Sequence, residues 1–347
     1  MLTFAKNNKV VKFFDITEWG EKKFFQTRGT RDKCVVENPA DSSFYYFKTS
    51  INVRDKNYKH EFWSEIIASH VGKLLGFNTL TYDIARKGDK IGCISKEMNP
   101  GTSVLTEGRS FLTGYDNTYK PSDKSSYKHY TLEFILNSIS AYKLESQIYS
   151  FYKVLIFDFI IGNSDRHQEN WGFITQTNHT WKHKAYLFLK TKKPIKNFIL
   201  WILPSKVISK MSKSFVSNLS NQFSPIYDSG CCLARELSDE RVNMMLNNEL
   251  MIESFVNRGQ AEIRKEDGSK YKHTELVSTL LDKDKANISE MINEILNKYD
   301  EHKIKKIVNE IDKELPPEFG DHSLPEPRKE LIIKILISKK NKLKELL

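Results

Sequence analysis

One short polar loop contains the residues best suited to chemistry. Asp165, His167 and Asn170 form the pattern D-x-H-x-x-N between an apolar stretch and residues 171–174, which have the composition of a strand. A carboxylate can orient or deprotonate an attacking hydroxyl, and an amide oxygen five residues later can ligate magnesium, so the pair suits phosphoryl transfer. Because Asp and Asn are also ordinary turn formers, the pattern becomes specific only in its context.

Two more residues could complete such a site. Asp228 follows an apolar segment and precedes Ser229 and Gly230, a position from which its carboxylate could reach the same metal ion. Lys48 ends an aromatic run, where a lysine is costly unless it pairs with an acid or reaches a ligand. Each has an ordinary alternative, since Asp228 could form an Asx turn and Lys48 could point to solvent from an edge strand.

The first 105 residues predict mainly strands and one helix. Four runs that favour strands are separated by turn residues or by the helix: 33–36, 44–49, 79–85 and 90–96. The first two predict a hairpin that ends at Lys48. Residues 59–76 have apolar side chains at helical spacing and end in a glycine, which favours a helix. This helix offers Glu61 and Glu65, one turn apart, as ion-pair partners for Lys48.

The rest of the chain is predicted to be mainly helical. Residues 144–161 form a strongly apolar helix that runs directly into the polar loop. Residues 106–130 are weakly patterned and predict a loop or short helix. Residues 236–347 are rich in lysine and glutamate at helical spacing, with a break at Pro316-Pro317.

The order of these parts is the layout of a two-lobed phosphotransferase. A glycine-containing turn, a strand lysine, a helix glutamate, helices, the polar loop and then Asp228 follow one another. We therefore predict an α+β protein-kinase-like fold. Its small β-rich N-lobe, with one helix, would span residues 1–100. A larger, mainly helical C-lobe would span 101–347 and contain the catalytic loop at 162–173 and a helical C-terminal tail.

Composition narrows the class of protein without naming a partner. The 347 residues are 39% hydrophobic and 28% charged, which supports a packed core and argues against wholesale disorder. No apolar run approaches a membrane-spanning length, and we expect no signal peptide. Four cysteines without a zinc spacing favour a reducing, cytoplasmic compartment. Export to another cell as an effector stays an open alternative.

A basic segment follows the polar loop. The chain has a net charge of +10, and between Asn170 and Asp228 it contains nine lysines and no acid. Residues 180–222 therefore predict an insertion, which is either a solvated surface or a surface that binds an anionic lipid or nucleic acid. The net charge suits a nucleotide, a nucleic acid or an acidic protein equally well. No recognisable module interleaves aromatic residues with these lysines, so nucleic-acid binding is the weaker hypothesis.

With these motifs in place, the chain resembles the HipA-type serine/threonine kinases, which include toxins of bacterial toxin–antitoxin modules and stand-alone relatives. The most specific motif is G-N-S-D-R-H-x-x-N-x-G-F at 162–173. The matching segments are 29–33, 46–48, 161–173 and 225–228, together with Glu61, Ala68 and residues 74–76 of the helix. The resemblance covers roughly residues 25–235 and fits a short, stand-alone or split form, which lacks the N-terminal subdomain of longer members.

The resemblance implies a role for each matching residue in an ATP- and Mg²⁺-dependent reaction. Asp165 would be the catalytic aspartate, and Asn170 and Asp228 would hold Mg²⁺. Lys48 would contact the α- and β-phosphates and pair with a glutamate of the helix. Glu61 is the first choice for this pairing, because it fits the family pattern, and Glu65 is the second.

It also implies a nucleotide-binding surface and a form of regulation. The Gly29 turn would cover the phosphates with help from Lys33, His167 would contribute to nucleotide binding, and the inter-lobe hinge at Glu97 and Met98 would bind adenine through its backbone. Autophosphorylation is expected in the turn, at Thr27 or Thr30. A partner is expected as well, either a cognate antitoxin or a protein equivalent to the missing subdomain.

The sequence is compatible with three hypotheses about the function. The first is a toxin-like or regulatory kinase that phosphorylates serine or threonine of a cellular protein. The second keeps the fold but changes the acceptor to a lipid or a small alcohol, with the basic insertion as its only support. The third is a pseudokinase or antitoxin-binding module, against which the presence of Lys48, Asp165, Asn170 and Asp228 argues, since a binding module does not need all four.

Overall fold

The computed structural model describes residues 10–22, 33–53, 56–99, 101, 103–177 and 219–347. Two predicted features lie outside these residues. They are the glycine turn, with Thr27, Gly29 and Thr30, and most of the basic insertion. Among the described residues, no helix combines the length and apolarity needed to cross a membrane.

A six-stranded sheet forms the N-terminal part. Its strands lie in the order β1, β7, β8, β4, β3, β2, and only the β1–β7 pair is parallel. The strands are β1 Phe13–Asp15, β2 Gly20–Glu21, β3 Lys33–Glu37, β4 Phe44–Lys48, β7 Asp83–Lys87 and β8 Lys90–Lys96, and a separate small hairpin pairs β5 Asn52–Val53 with β6 Lys56–Asn57. The predicted hairpin is confirmed as β3–β4, with Lys48 as the last residue of its strand.

Helix α1, Glu61–Leu74, is the one helix among the described residues of this part, and it matches the predicted helix. Its buried side chains include Trp63, Ile66 and Ile67, which belong to a core shared with the sheet and with the helices that follow. The helix is therefore held on several sides, which restricts the positions of its two glutamates.

The segment predicted as a strand over 79–85 differs from the prediction. The strand β7 begins only at Asp83, because the residues before it bond to a distant segment. The backbone N–H of Leu80 donates to the carbonyl of Ile226 at 2.9 Å, and the N–H of Ile226 donates to the carbonyl of Asn78 at 2.7 Å. These bonds join the N-terminal part to the chain just before Asp228.

Helices dominate the rest of the chain. Their bounds are α2 Gly108–Tyr115, α3 Leu132–Ala141, α4 Ile148–Ile161, α5 Asp239–Leu246, α6 Glu249–Arg258, α7 His273–Lys283, α8 Lys285–Lys298, α9 Glu301–Asn309 and α10 Glu326–Glu345. The chain breaks near the two prolines, where Pro317–His322 forms a short 3₁₀ helix. Helix α4 is apolar on nearly all sides and is buried accordingly.

Two small sheets accompany these helices. Strands β9 Val104–Glu107, β10 Gly172–Thr177 and β11 Leu219–Phe223 form an antiparallel sheet with β10 in the centre. Strands β12 Gln260–Arg264 and β13 Lys270–Lys272 form a hairpin inside the tail, where the pattern of the sequence predicts helices. A curled N-terminal sheet followed by a helical region confirms the predicted α+β class. The boundary between lobes at residue 100 stays a prediction.

Candidate active site

The polar loop begins where helix α4 ends. Gly162, with φ of +67°, adopts the left-handed conformation that terminates a helix and that glycine accepts without strain. The next residue, Asn163, is fully buried, and its side-chain amide donates to Asp158 at 2.9 Å. The loop is therefore fixed to the last turn of α4 from its first residues.

Arg166 forms a buried ion pair with Asp158. Its Nε donates to one carboxylate oxygen at 2.9 Å and its Nη2 to the other at 2.8 Å. Both side chains are almost fully buried, at 2% and 3% exposure. A two-point contact of this kind fixes the plane of the guanidinium as well as its position.

The same guanidinium connects the loop to the segment around Asp228. Arg166 Nη1 donates to the backbone carbonyls of Asn170 and Tyr227, and Nη2 also donates to the Ser229 hydroxyl at 3.0 Å. One buried side chain thus brings together the two predicted metal ligands, which are far apart in the sequence. The sequence motif contains this arginine directly after Asp165 but gives no sign that it is buried or that it joins the two segments.

Asp165 lies half-exposed at the surface of this framework. Its backbone carbonyl accepts hydrogen bonds from the N–H of His167 at 2.9 Å and from the Asn170 side-chain amide at 2.8 Å. One oxygen of its carboxylate accepts a hydrogen bond from the Cys231 thiol at 3.3 Å. The backbone of Asp165 is therefore held by the loop, while its carboxylate is reachable for a substrate hydroxyl.

Asn170 is buried and oriented by the same contacts. Because its amide nitrogen donates to the Asp165 carbonyl, its side-chain oxygen is the atom left to act as a ligand. His167 lies in the turn between them, where its Nδ1 accepts a hydrogen bond from the N–H of Glu169 at 3.2 Å. The structure thus gives His167 a role in shaping the turn, and its predicted contact with nucleotide stays a prediction.

Lys48 connects the N-terminal sheet to Asp228. Its ammonium lies 3.3 Å from Glu65 Oε1 and 3.1 Å from Asp228 Oδ1, and 5.3 Å from the centre of the Tyr82 ring. The neighbouring strand approaches this residue closely at Gly92, where a Cβ would lie only 2.1 Å from the Lys48 carbonyl oxygen. The strand lysine, the helix glutamate and the second aspartate therefore meet at one point.

The order of preference between the two glutamates was wrong. Glu61, the first choice, forms an ion pair with Arg235 at 2.9 Å and accepts a hydrogen bond from the N–H of Ile51 at 3.0 Å. Glu65, the second choice, is the one beside Lys48. The reason is its place in the helix, because Glu61 is the first residue of α1 and is turned to the chain that enters it.

Asp228 has an unusual backbone conformation. Its φ of +53° lies in the left-handed region, which aspartate tolerates better than most residues. Its N–H donates to the Tyr82 hydroxyl at 3.4 Å, and the N–H of Ser229 donates to Glu65 at 3.2 Å. Burial, followed by the nearby charge of Glu65, raises the pKa of Tyr82, so its hydroxyl stays neutral. These contacts hold Asp228 towards Lys48.

The remaining predicted nucleotide residues lie along the same sheet. Lys33 pairs directly with Lys48 across the β3–β4 hairpin, and directly opposed side chains share one face of a sheet. Glu97 and Met98 follow the end of β8 and are half-buried, and burial raises the pKa of the Glu97 carboxyl. Their contacts with nucleotide stay predictions, as does the role of the turn at Gly29.

The donor set fits a magnesium ion shared with phosphates. Asn170 and Asp228 offer oxygen ligands, which Mg²⁺ prefers, and Lys48 places a positive charge beside Asp228. Nowhere in the described part of the chain do three His, Cys, Asp or Glu side chains cluster as a metal site. A pair of protein ligands completed by phosphate and water oxygens is the usual arrangement for Mg²⁺ at a nucleotide.

Comparison with known proteins bears on the fold. No protein-family model and no curated protein matches the sequence. Among solved structures, the chain is similar to the Helicobacter pylori proinflammatory kinase CtkA, with 18% identity, 96% of each chain covered and a TM-score of 0.69. It has a weaker similarity to HipA of Shewanella oneidensis MR-1, solved with HipB and operator DNA. There the identity is 14%, the TM-score is 0.44, and 92% of this chain and 65% of that chain are covered. The CtkA match shows that this chain has a kinase-like fold along nearly its whole length.

Proposed function

We propose that this protein is an ATP- and Mg²⁺-dependent kinase of the HipA type that phosphorylates serine or threonine of a protein. The observation that carries the proposal is the convergence on Asp228. Lys48 contacts its carboxylate from the N-terminal sheet, while Arg166 joins its segment to the loop of Asp165 and Asn170. A binding module has no need for this combination of charges, whereas phosphoryl transfer requires it.

Each residue has a distinct role in the proposed reaction. Asn170 and Asp228 would hold the metal, and Lys48, kept in place by Glu65, would bind the phosphates. ATP, when bound with Mg²⁺, supplies the phosphoryl group. Asp165 would accept a hydrogen bond from the hydroxyl of the acceptor, orient it and take up its proton as the new oxygen–phosphorus bond forms and the bond from the γ-phosphorus to the leaving ADP breaks. Catalysis then rests on positioning and charge neutralisation.

The nature of the acceptor and of the partner is proposed from the sequence motifs. A protein acceptor and a toxin-like or regulatory role follow from the family resemblance of the motifs. The same holds for a partner protein that neutralises the activity or that corresponds to the N-terminal subdomain of longer family members. A lipid or small-alcohol acceptor gains no support from the described residues, since the basic segment that favoured it lies almost wholly outside them.

Replacement of Asp165 by asparagine tests the proposal. Asparagine preserves the shape of the turn but cannot take up the proton, so label transfer from radioactive ATP to a serine/threonine peptide library should fall by roughly 10²- to 10⁴-fold. Stabilisation of the variant by Mg-ATP in a thermal melt should match that of the wild type. Near-wild-type transfer by Asp165→Asn would refute the assignment, and transfer to lipid or sugar acceptors alone would refute the protein acceptor.

A further inference from the structure

A cavity of about 300 Å³ lies beside the polar loop. This volume is typical of a pocket for a small ligand. Its wall is formed by the end of α4, the chain after Asp228, the end of α6 and helix α10. Ser164 and Cys231 belong to this wall, and the Cys231 thiol is the group that donates to the Asp165 carboxylate. One side chain therefore separates the cavity from the catalytic aspartate of the proposed reaction.

Most of the wall is apolar, but it contains two positive charges. The apolar lining is contributed by Ile161, Leu233, Ala234, Phe255 and Ile335. The cations are Lys339, from α10, and Arg258, which ends α6 and is exposed. The wall also includes one acid, Glu236, whose side chain is exposed and therefore screened by water. The buried charge in the cavity is thus positive.

Lys339 is an unusual lysine because it is buried without an acid. It is 2% exposed, and it forms no ion pair with any carboxylate in the part of the chain that the structure describes. Its ammonium donates to the Val256 carbonyl at 3.4 Å and lies 4.8 Å from the centre of the Phe159 ring. The carbonyl ends of α4 and α6 offset part of its charge. An ammonium has three donors, so two remain for a ligand.

The surroundings of Lys339 keep this space open and positive. A Cβ on Gly259, which lines the cavity, would lie 3.3 Å from the ammonium and 3.1 Å from the His273 ring. Burial, with the charge of Lys339, lowers the pKa of His273 well below its usual range, so this histidine stays neutral. Burial also lowers the pKa of Lys339 to about 8, which still leaves it mostly charged at neutral pH. An unpaired charge of this kind lowers the stability of the fold unless an anion joins it.

We propose that this cavity binds an anionic group, a carboxylate or a phosphoryl, of the protein that is phosphorylated. The inference rests on the proposed function, because it places an acidic residue of the acceptor next to the hydroxyl held by Asp165. Lys339 binds the anion at the base of the cavity, Arg258 contributes from the exposed end, and the apolar wall packs against the carbon chain that carries the charge.

A peptide library with a central serine and randomised flanking positions tests this specificity. With Mg-ATP, the wild type should favour Asp, Glu or phosphoserine over Gln at one flanking position by about tenfold, the usual effect of a charge-assisted hydrogen bond. Lys339→Met, which removes the charge at similar volume, should abolish the preference. Arg258→Gln, at an exposed position that does not threaten folding, should reduce it. Lys344→Met, an exposed lysine on the same helix, should retain it.

A binding measurement that does not depend on turnover separates this inference from the proposed function. Anisotropy of fluorescent Glu-containing and Gln-containing peptide pools, with inorganic phosphate as competitor, reports on the cavity alone. If no peptide is phosphorylated, the kinase proposal fails, and Lys339-dependent binding of the Glu pool would still support an anion site. An acidic preference that survives in both cavity variants would overturn the inference. So would binding of free phosphate without binding of the acidic peptides.

Discussion

Replacing Arg166 by methionine tests how the active site is held together. The guanidinium and Asp158 are both almost fully buried, so the change leaves an uncompensated carboxylate inside the protein. Breaking a buried pair in this way typically costs about 3–5 kcal/mol. The variant also loses the hydrogen bonds to the carbonyls of Asn170 and Tyr227, which position the metal ligands. We therefore expect a large loss of stability together with loss of Mg-ATP binding.

A double variant separates the two effects. In Asp158→Asn/Arg166→Met neither charge of the pair remains, so the free energy of unfolding should recover by at least ~1 kcal/mol relative to the single variant. Binding of Mg-ATP should not recover with it, because the bonds from the guanidinium to the loop are still missing. Arg109→Met is the matched control, since Arg109 forms a half-exposed ion pair with Glu169 of the same loop and should cost at most ~1 kcal/mol.

Urea unfolding gives the free energies, and thermal melts with and without Mg-ATP give the binding. A loss below ~1 kcal/mol in Arg166→Met would contradict the buried pair as described. A double variant no more stable than the single one would contradict the charge argument. Recovery of Mg-ATP binding in the double variant would show that Arg166 acts on stability alone and does not position the ligands.

Two further predictions rest on particular contacts, and a third rests on the family resemblance. Glu65→Gln should weaken Mg-ATP binding on the order of tenfold, because it weakens the ion pair that holds Lys48 in place. Glu61→Gln should leave the affinity nearly unchanged, because Glu61 pairs with Arg235. Equal effects of the two changes in a binding titration would contradict the assignment of Glu65 as the partner of Lys48. Lys339→Met should raise the free energy of unfolding by about 3 kcal/mol below pH 8. This gain should fade as the pH rises from about 8 to 10.5, because in that range only the unfolded wild type still binds the proton. A gain that does not change with pH in urea titrations would refute this. From the family resemblance, incubation with Mg-ATP should add phosphate at Thr27 or Thr30, which intact-mass and peptide mass spectrometry would detect, and an unmodified 25–35 peptide would end this idea.

The sequence predicted best the features that depend on neighbouring residues. The hairpin ending at Lys48, helix α1 and the apolar helix before the polar loop each have a local periodicity that their packing follows. The choice between Glu61 and Glu65 could not be made in this way. Both lie on one face of a helix and both are fully buried, so only the position of the helix along its axis relative to the strand decides which of them reaches the strand lysine.

Two other features depend on contacts that no local pattern encodes. The hairpin β12–β13 lies in a charged segment with helical spacing, and the bridge from its Arg264 to Thr131 is a tertiary contact. The role of Arg166 is of the same kind. An arginine in a polar loop is usually solvated, and only the burial of Asp158 and the return of the chain at Tyr227 turn it into a structural centre.

Asp165 and Asp228 are far apart in the sequence, and the sheet that precedes Asp228 brings them back together in space. Strands β10 and β11 pair in antiparallel register from Phe173 with Phe223 to Thr177 with Leu219, so the chain leaves and returns at adjacent positions. The connection between these strands can therefore vary in its number of residues with little effect on the stability of the site, since the entropic cost of closing a loop grows only slowly with its length. Beyond the sheet, Ile226 bonds to the N-terminal part and Tyr227 to Arg166, and Asp228 then meets Lys48. Three consecutive residues are thus tied to three different elements. This is why a site assembled from distant segments keeps its geometry across an insertion of this size.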